Sequence, residues 1–434
     1  MKQVARVLST YSADLFGICS VLYELGGLVV MHDASGCNST YNTHDEPRWY
    51  DIESMIYISG LIENDVILGN DEKLISDVIE AAQETNPKFI AISAALIPLF
   101  MSTDMKGIAR IIEKRTGIPT FGFTTNAMDT YVLGGNMVYR EFLDRFCPTL
   151  DCSQATSDSP SISVNLLGVT PLDFSIVGNV EALKEYFKER GIRVNCCMTM
   201  GCTLSEMAEA YKADVNVVCS SLALDGARIL NDKYGTPAVL GLPMGKTACC
   251  ELEKLIRESA SDGKSRLLGS TDEITGIPPI EHPKSSYTLR DRAKGGTLII
   301  GEAINAVGIR YVLEHDLGIS EVHILCPTQV DAHMLRDDDV MVRDEADIEK
   351  VLKSAKCVIA DPIYRRILTR DENGNLPHFI YIPHEAYSGR MYRSHIPTFI
   401  GAGFTDWLTS KVNADQDSIG INDIMRINVP YKKG

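Results

Sequence analysis

The chain has 434 residues and no run of about 20 apolar ones free of charge, so no transmembrane helix is expected. The stretch from Met1 to Ser20 lacks the unbroken apolar core of a secretory leader, because Lys2, Arg6 and Asp14 interrupt it. The reducing cytoplasm is therefore the expected compartment. Cationic residues are in deficit, with 42 Lys and Arg against 58 Asp and Glu, for a formal charge of -16. That balance opposes attraction to nucleic acid or an anionic membrane and suits a partner that presents basic patches. No Cys-x-x-Cys pair occurs, which excludes a zinc ribbon or a ferredoxin run. A phosphate-binding loop is missing too: Leu240 stands where Gly245-Lys246-Thr247 would need its upstream glycine, so any ATP hydrolysis belongs to a partner.

What is present is a composition of 45% hydrophobic and 23% charged residues, enough to bury several cores. At roughly 150 residues per domain, about three compact units are expected. There are also twelve cysteines. In a reducing compartment these are thiols, nucleophiles or metal ligands rather than bridges. With no local ligand spacing, a metal site would have to gather its donors from distant loops or from two chains.

Short apolar runs alternate with amphipathic segments, the pattern of parallel α/β units. Phe89 to Ser93 reads as a strand between helices at Asp71 to Glu84 and Asp104 to Arg115, and Ile118 to Phe123 as the next strand. The polar stretch Cys152 to Pro160 reads as a linker. A second βαβ series follows, with strands at Ser163 to Gly168, Ile192 to Met198, Val215 to Cys219 and Ala238 to Leu242. Residues 261–296 read as another connection. A third series has strands at Thr297 to Gly301, Glu321 to Leu325, Cys357 to Ala360 and Phe379 to Ile382. The expected fold is α/β, with three Rossmann-like domains at 1–155, 156–275 and 276–434, their parallel sheets flanked by helices.

Ligands in such sheets sit beyond the carboxyl ends of the strands. That rule nominates Cys219 after Val218, and His384 after the strand ending at Ile382. Each has a plain alternative, a buried free thiol and a hydrogen-bonded surface histidine. In the loop from Met200, Cys202 precedes Thr203 and Glu206, a capping-box pair that opens a helix N-terminus suited to an anion. In the first unit, Cys19 and Cys37 lie in Gly-flanked segments eighteen residues apart.

With these residues in hand, the chain resembles the nitrogenase component 1 family, which takes in molybdenum-iron protein subunits, cofactor-assembly scaffolds and dark-operative tetrapyrrole reductases. His32-Asp33-Ala34-Ser35-Gly36-Cys37 is similar to the family's His-Gly-x-x-Gly-Cys loop. The segment from Leu61 to Leu74, the Val164 to Gly168 strand, the Gly201 to Met207 loop and helix, and Tyr234-Gly235-Thr236-Pro237 follow the family's order. The resemblance implies that Cys19 and Cys37 are ligands of an iron-sulfur cluster at a subunit interface. The family's third interface cysteine has no counterpart in Ala94-Ala95-Leu96-Ile97-Pro98. Two thiols per chain then imply a [4Fe-4S] cluster completed by an identical or homologous subunit, in a homodimer, αβ or α2β2 assembly. An ATP-dependent iron protein would supply the electrons. The resemblance further implies a second metallocluster site at Cys219 and His384, with Cys202 as an extra ligand or a small buried residue. Tyr387-Ser388-Gly389 falls one residue nearer to His384 than in the family pattern.

The implied function is that of an oxidoreductase subunit relaying single electrons to a buried site. A scaffold holding a precursor cluster through Cys219 is one alternative. A tetrapyrrole reductase with Cys219 as a packing residue is another, and an α/β binding protein without metal is the plainest. The substrate and the catalytic residues are not legible.

Overall fold

A computed structural model describes residues 6–36, 38, 41, 46–149, 161–270, 274, 277, 296–371, 373–387 and 393–414. Cys37, the 152–160 linker and Ser388 to Arg390 lie outside the described residues, as does much of the 261–296 connection. Among the described residues no helix is long and apolar enough to cross a membrane.

The chain folds as three parallel sheets flanked by helices. The first unit opens with α1 (Asp14–Leu22), β1 (Leu28–His32) and β2 (Ile56–Ile58), then α2 (Glu63–Leu68), α3 (Asp71–Thr85) and β3 (Ile90–Ala94). It continues through α4 (Leu96–Met101), α5 (Met105–Thr116), β4 (Thr120–Phe123) and the long α6 (Tyr131–Phe146). Its strand order is β2-β1-β3-β4. The buried strands β1 and β3 are apolar along nearly their whole length, as parallel strands covered on both faces must be.

The second unit comprises β5 (Ser163–Leu167), α7 (Pro171–Phe174), α8 (Asn179–Glu189), β6 (Arg193–Cys197), α9 (Leu204–Ala208) and β7 (Val215–Val218). After these come α10 (Leu224–Tyr234), β8 (Ala238–Leu240), α11 (Lys246–Asp262) and β9 (Arg266–Leu267), in the order β6-β5-β7-β8-β9. The third holds β10 (Thr297–Ile300), α12 (Ala303–Tyr311), β11 (Val322–Cys326), β12 (Val340–Met341), α13 (Glu345–Leu352), β13 (Cys357–Ala360), β14 (His378–Tyr381) and α14 (Gly403–Val412). Its order is β12-β11-β10-β13-β14.

The strand readings hold to within a residue or two, but the expected connection from 261 is partly structure. Helix α11 runs to Asp262, and β9 adds a fifth strand to the second sheet. One apolar cluster runs through all three units, and a smaller one lies between β1, β3, α3 and α5. The N-terminal segment stitches the first unit to the third, as Tyr11 bridges to Tyr387 and Ser12 N–H donates to the Ala386 carbonyl at 2.7 Å.

Candidate functional site

Cys19 sits on α1 and is fully buried. Helix α1 lies tight against α6 because glycine faces backbone on both sides. A Cβ on Gly17 would stand 2.1 Å from the Tyr131 carbonyl oxygen, and one on Gly134 would stand 1.8 Å from that of Asp14. The Asp14 carboxylate accepts backbone N–H bonds from Leu15 (2.8 Å), Asn126 (2.8 Å) and Ala127 (2.9 Å), and burial raises its pKa to about 6.

Burial, followed by the charge of Glu46, pushes the Cys19 thiol well above its ordinary range, so an unligated Cys19 is protonated. Burial works against the Glu46 charge, but Arg48 overrides it and holds the carboxyl below the usual range. Arg48 Nε donates to Glu46 at 2.8 Å, while its other nitrogens reach Glu24 (2.9 Å) and the Ser20 carbonyl (2.8 Å).

At the carboxyl end of β1, His32 pairs through Nδ1 with Ser59 Oγ at 2.8 Å, and burial lowers its pKa to about 4. The loop toward Cys37 begins here. Leu61 N–H donates to the Asp33 carbonyl at 2.9 Å, and Ala95 N–H to that of His32 at 3.2 Å. The position lacking the third cysteine thus lies beside this loop, where β3 passes into α4. An apolar patch adjoins it: Ile62, Ile67 and Leu96 are exposed, as are Leu68 at 80% and Phe100 at 79%. The donor chemistry at Cys19 fits an iron-sulfur cluster, since it is a soft thiol shielded from water in the unit that carries Cys37.

A second constellation forms where the three units meet, at the carboxyl ends of β5, β7, β10, β13 and β14. Asp173 on α7 is its centre. Its Oδ1 accepts from Tyr131 OH at 2.6 Å and from His384 Nε2 at 3.1 Å, and its Oδ2 accepts from Ser220 Oγ at 2.5 Å. One carboxylate therefore holds a donor from each unit. Glu302, after β10, accepts from Ser221 N–H at 2.9 Å, from the Ser221 hydroxyl and from Asn305 N–H at 3.0 Å. Burial and then the Asp173 charge push the Glu302 carboxyl upward. Between these groups lies a cavity of about 50 Å³, lined by Tyr11, Asp173, Glu302, Asn305, Asp361 and His384 among others. Asn305 Oδ1 is buried without a hydrogen-bond partner among the described residues and lines the same cavity.

His384 and Cys219 are not brought together on this cavity. The Cys219 thiol is fully buried, lies 3.6 Å from the Val217 carbonyl oxygen and is absent from the cavity lining. Both ring nitrogens of His384 are engaged. The Ala386 N–H donates to Nδ1 at 3.2 Å, so Nδ1 carries the lone pair and Nε2 the proton that faces Asp173. A cavity of one or two waters' volume and a histidine with no free nitrogen do not fit a metallocluster spanning Cys219 and His384. Cys202 lies elsewhere again, with its Sγ 3.1 Å from Cys196 Sγ. The expected capping box does form, since Glu206 N–H donates to Thr203 Oγ1 and Thr203 N–H to Glu206 Oε2. It satisfies these donors internally and ends the reading of α9, a five-residue helix, as an anion site.

Asp173, Glu302 and Tyr131 escaped the sequence reading. Glu302 was findable, because it directly follows the strand and glycine of Thr297 to Gly301 and opens a helix. Asp173 sits in a single helical turn with no periodicity to announce it.

Residues 25–274 match the family model described as nitrogenase component 1 type oxidoreductase. The chain belongs to that family. The matched region of this component 1 type chain includes Cys37, Cys202 and Cys219; Cys19 and His384 fall outside it. Among its relatives is the nitrogenase iron-molybdenum cofactor biosynthesis protein NifE of Clostridium pasteurianum, 22% identical over 263 residues, 58% of this chain and 54% of that one. The protein of the same name from Sinorhizobium fredii is 23% identical over 251 residues, 56% and 49% of the two chains. A component of the light-independent protochlorophyllide reductase of Prosthecochloris aestuarii is 22% identical over 261 residues, 57% and 48%. The chain thus spans about half the length of these curated relatives. The structure titled nitrogenase Cp1 at pH 6.5 superposes with a TM-score of 0.62 at 13% identity, covering 97% of this chain and 92% of the other. That likeness extends the shared fold past the sequence match to nearly the whole component 1 type chain.

Proposed function

We propose that this chain is the electron-accepting subunit of a nitrogenase-like reductase, with Cys19 and Cys37 holding one side of a [4Fe-4S] cluster and an identical or homologous subunit completing it. The observation that carries this reading is the exposed apolar patch around Leu68 and Phe100, beside the loop that leads to Cys37. Exposed apolar surface of this kind is covered by a partner, and two thiols per chain are half of what a cubane requires. When bound, the cluster supplies storage and relay of single electrons. The protein's own part is to exclude water around Cys19 and to fix α1 through Arg48 and Glu46. At the three-unit junction, the Nε2 proton of His384 and the hydroxyl proton of Tyr131 are held on Asp173, beside a cavity sized for a small polar group. An ATP-dependent iron protein is the proposed electron source.

The scaffold reading draws on the relatives named NifE. The Cys219 thiol is packed away from the cavity that His384 lines, so the two do not form one precursor site, which counts against the scaffold reading. The same packing suits a subunit acting on an organic substrate, of which the protochlorophyllide reductase relative is an example by name. The test is anaerobic purification followed by iron and acid-labile sulfide analysis, with electron paramagnetic resonance of the dithionite-reduced protein. The expected result is about two irons and two sulfides per chain, with the signal of a reduced cubane. Iron-free protein that cannot be reconstituted overturns the reading.

A further inference from the structure

Cys196 and Cys202 stand apart from both sites described above. Cys196 lies near the end of β6, where the pairing with β5 shifts register between Val164 and Asn165. Cys202 comes from the loop leading into α9. Their sulfurs are 3.1 Å apart and both residues are buried. A disulfide bond is about 2.05 Å long, so the two sulfurs need approach by only ~1 Å to form one. A shared metal is the competing use of such a pair. Among the described residues no group of three His, Cys, Asp or Glu is placed to hold a metal ion.

One member of the pair is reachable. Cys196 lines a groove of about 500 Å³ whose walls include Lys184, Lys188 and Arg193. These three cationic side chains outnumber the one carboxylate in the same lining, Glu206, which favours approach of an anionic reagent.

We propose that Cys196 and Cys202 form a reversible dithiol-disulfide pair, oxidised by low-molecular-weight anionic disulfides that enter through this groove. In the first step the thiolate of one cysteine attacks the reagent's S–S bond, forming a mixed disulfide and expelling one reagent thiolate. The second cysteine then attacks the mixed disulfide, forming the Cys196–Cys202 bond and expelling the other. Two electrons pass from the cysteine pair to the reagent, and the two cysteine protons end on the two released thiols.

The pair is wired to the first unit. Gly201 N–H, one residue before Cys202, donates to Glu24 Oε2 at 2.7 Å, and Glu24 Oε1 accepts from the same Arg48 that reaches the Ser20 carbonyl beside Cys19. Closing the disulfide pulls on a loop that is tied to the Cys19 helix.

The test uses the full chain, equilibrated anaerobically at pH 8 across ratios of reduced to oxidised glutathione, then acid-quenched, denatured and alkylated. One tryptic peptide, residues 194–212, carries Cys196, Cys197 and Cys202. With rising oxidised glutathione the expected peptide bears a single alkyl group, on Cys197, and its Cys196–Cys202 link leaves two sites unalkylated. Dithiothreitol restores three alkyl groups. Cys197→Ser keeps the link and Cys202→Ser abolishes it. Three alkyl groups at the highest proportion of oxidised glutathione, a link that includes Cys197 or Cys219, or glutathione retained on one cysteine without an internal bond each overturn the proposal. Because the wild-type peptide map decides the matter, a variant that fails to fold does not obscure it.

Discussion

Replacing Asp173 with alanine strips the acceptor from three donors at once, the buried Tyr131 OH and Ser220 Oγ and the half-buried His384 Nε2. Each donor left unpaired costs about 1–3 kcal/mol, so the bare sum is roughly 3–9 kcal/mol. Two opposing effects reduce it. The hydroxyls of Tyr131 and Ser220 can rotate toward other acceptors, and loss of the Asp173 charge relieves the repulsion that helps push Glu302 upward. A net loss of about 3–6 kcal/mol is expected for Asp173→Ala. Asp173→Asn keeps an acceptor oxygen at the same place and still removes the charge, so it should lose about 1–3 kcal/mol and let the Glu302 pKa fall. Guanidinium unfolding provides the assay, followed by circular dichroism and by the fluorescence of the two tryptophans, Trp49 in the first unit and Trp407 in the third. Both probes should report the loss, because the carboxylate ties together donors from all three units. An Asp173→Ala protein within about 1 kcal/mol of the wild type, or an asparagine variant as unstable as the alanine one, would refute the reasoning.

Other expectations follow from the same geometry. His32 has a folded-state pKa of about 4 against an ordinary 6.5, so its contribution is fully present above pH 6.5 and is lost as pH falls through 4. Urea titrations of wild type and His32→Asn should therefore converge by about 2.5 kcal/mol between pH 7 and pH 4.5, and parallel curves would count against the burial argument. Gly134→Ala places a Cβ 1.8 Å from the Asp14 carbonyl oxygen. It should cost at least about 1–3 kcal/mol in thermal or chemical unfolding, and an unchanged midpoint would show that α1 and α6 can slide apart freely. Leu68→Asp combined with Phe100→Asp should leave the chain folded by circular dichroism but shift sedimentation from dimer to monomer. A wild-type chain that sediments as a monomer at micromolar concentration would contradict the partnered patch.

Most of the β-strands were legible because parallel strands buried on both faces must be short apolar runs, as Cys357–Ala360 and Thr297–Ile300 are, whereas the short edge strands β2 and β12 were not read. Helix α6 was not. Gly134 and Gly135 look like breakers in sequence, yet they are what allow close approach to Asp14 and Leu222. Helix α11 was also overlooked, although Ala248, Cys249, Leu252, Leu255, Ile256 and Ser259 share its buried face. The two-residue β9 has no period to read. At the candidate sites, Cys19 and Cys37 were nominated through an ordered set of motifs, and Cys219 and His384 through the strand-end rule. The state of the latter two depends on neighbours far away in sequence. A proton on His384 Nε2 is dictated by the Ala386 amide and Asp173, and the packing of Cys219 by the core around it. The contact between Cys196 and Cys202 arises from a loop geometry that no spacing rule describes.

The central claim is that Cys19 and Cys37, rather than Cys219, carry the iron. Iron per chain in anaerobically purified wild type, Cys19→Ala, Cys37→Ala and Cys219→Ala tests it most directly. The account predicts that iron falls by at least about half in each of the first two variants and holds at the wild-type value of about two per chain in Cys219→Ala. Iron lost on replacing Cys219 and retained without Cys19 would contradict it.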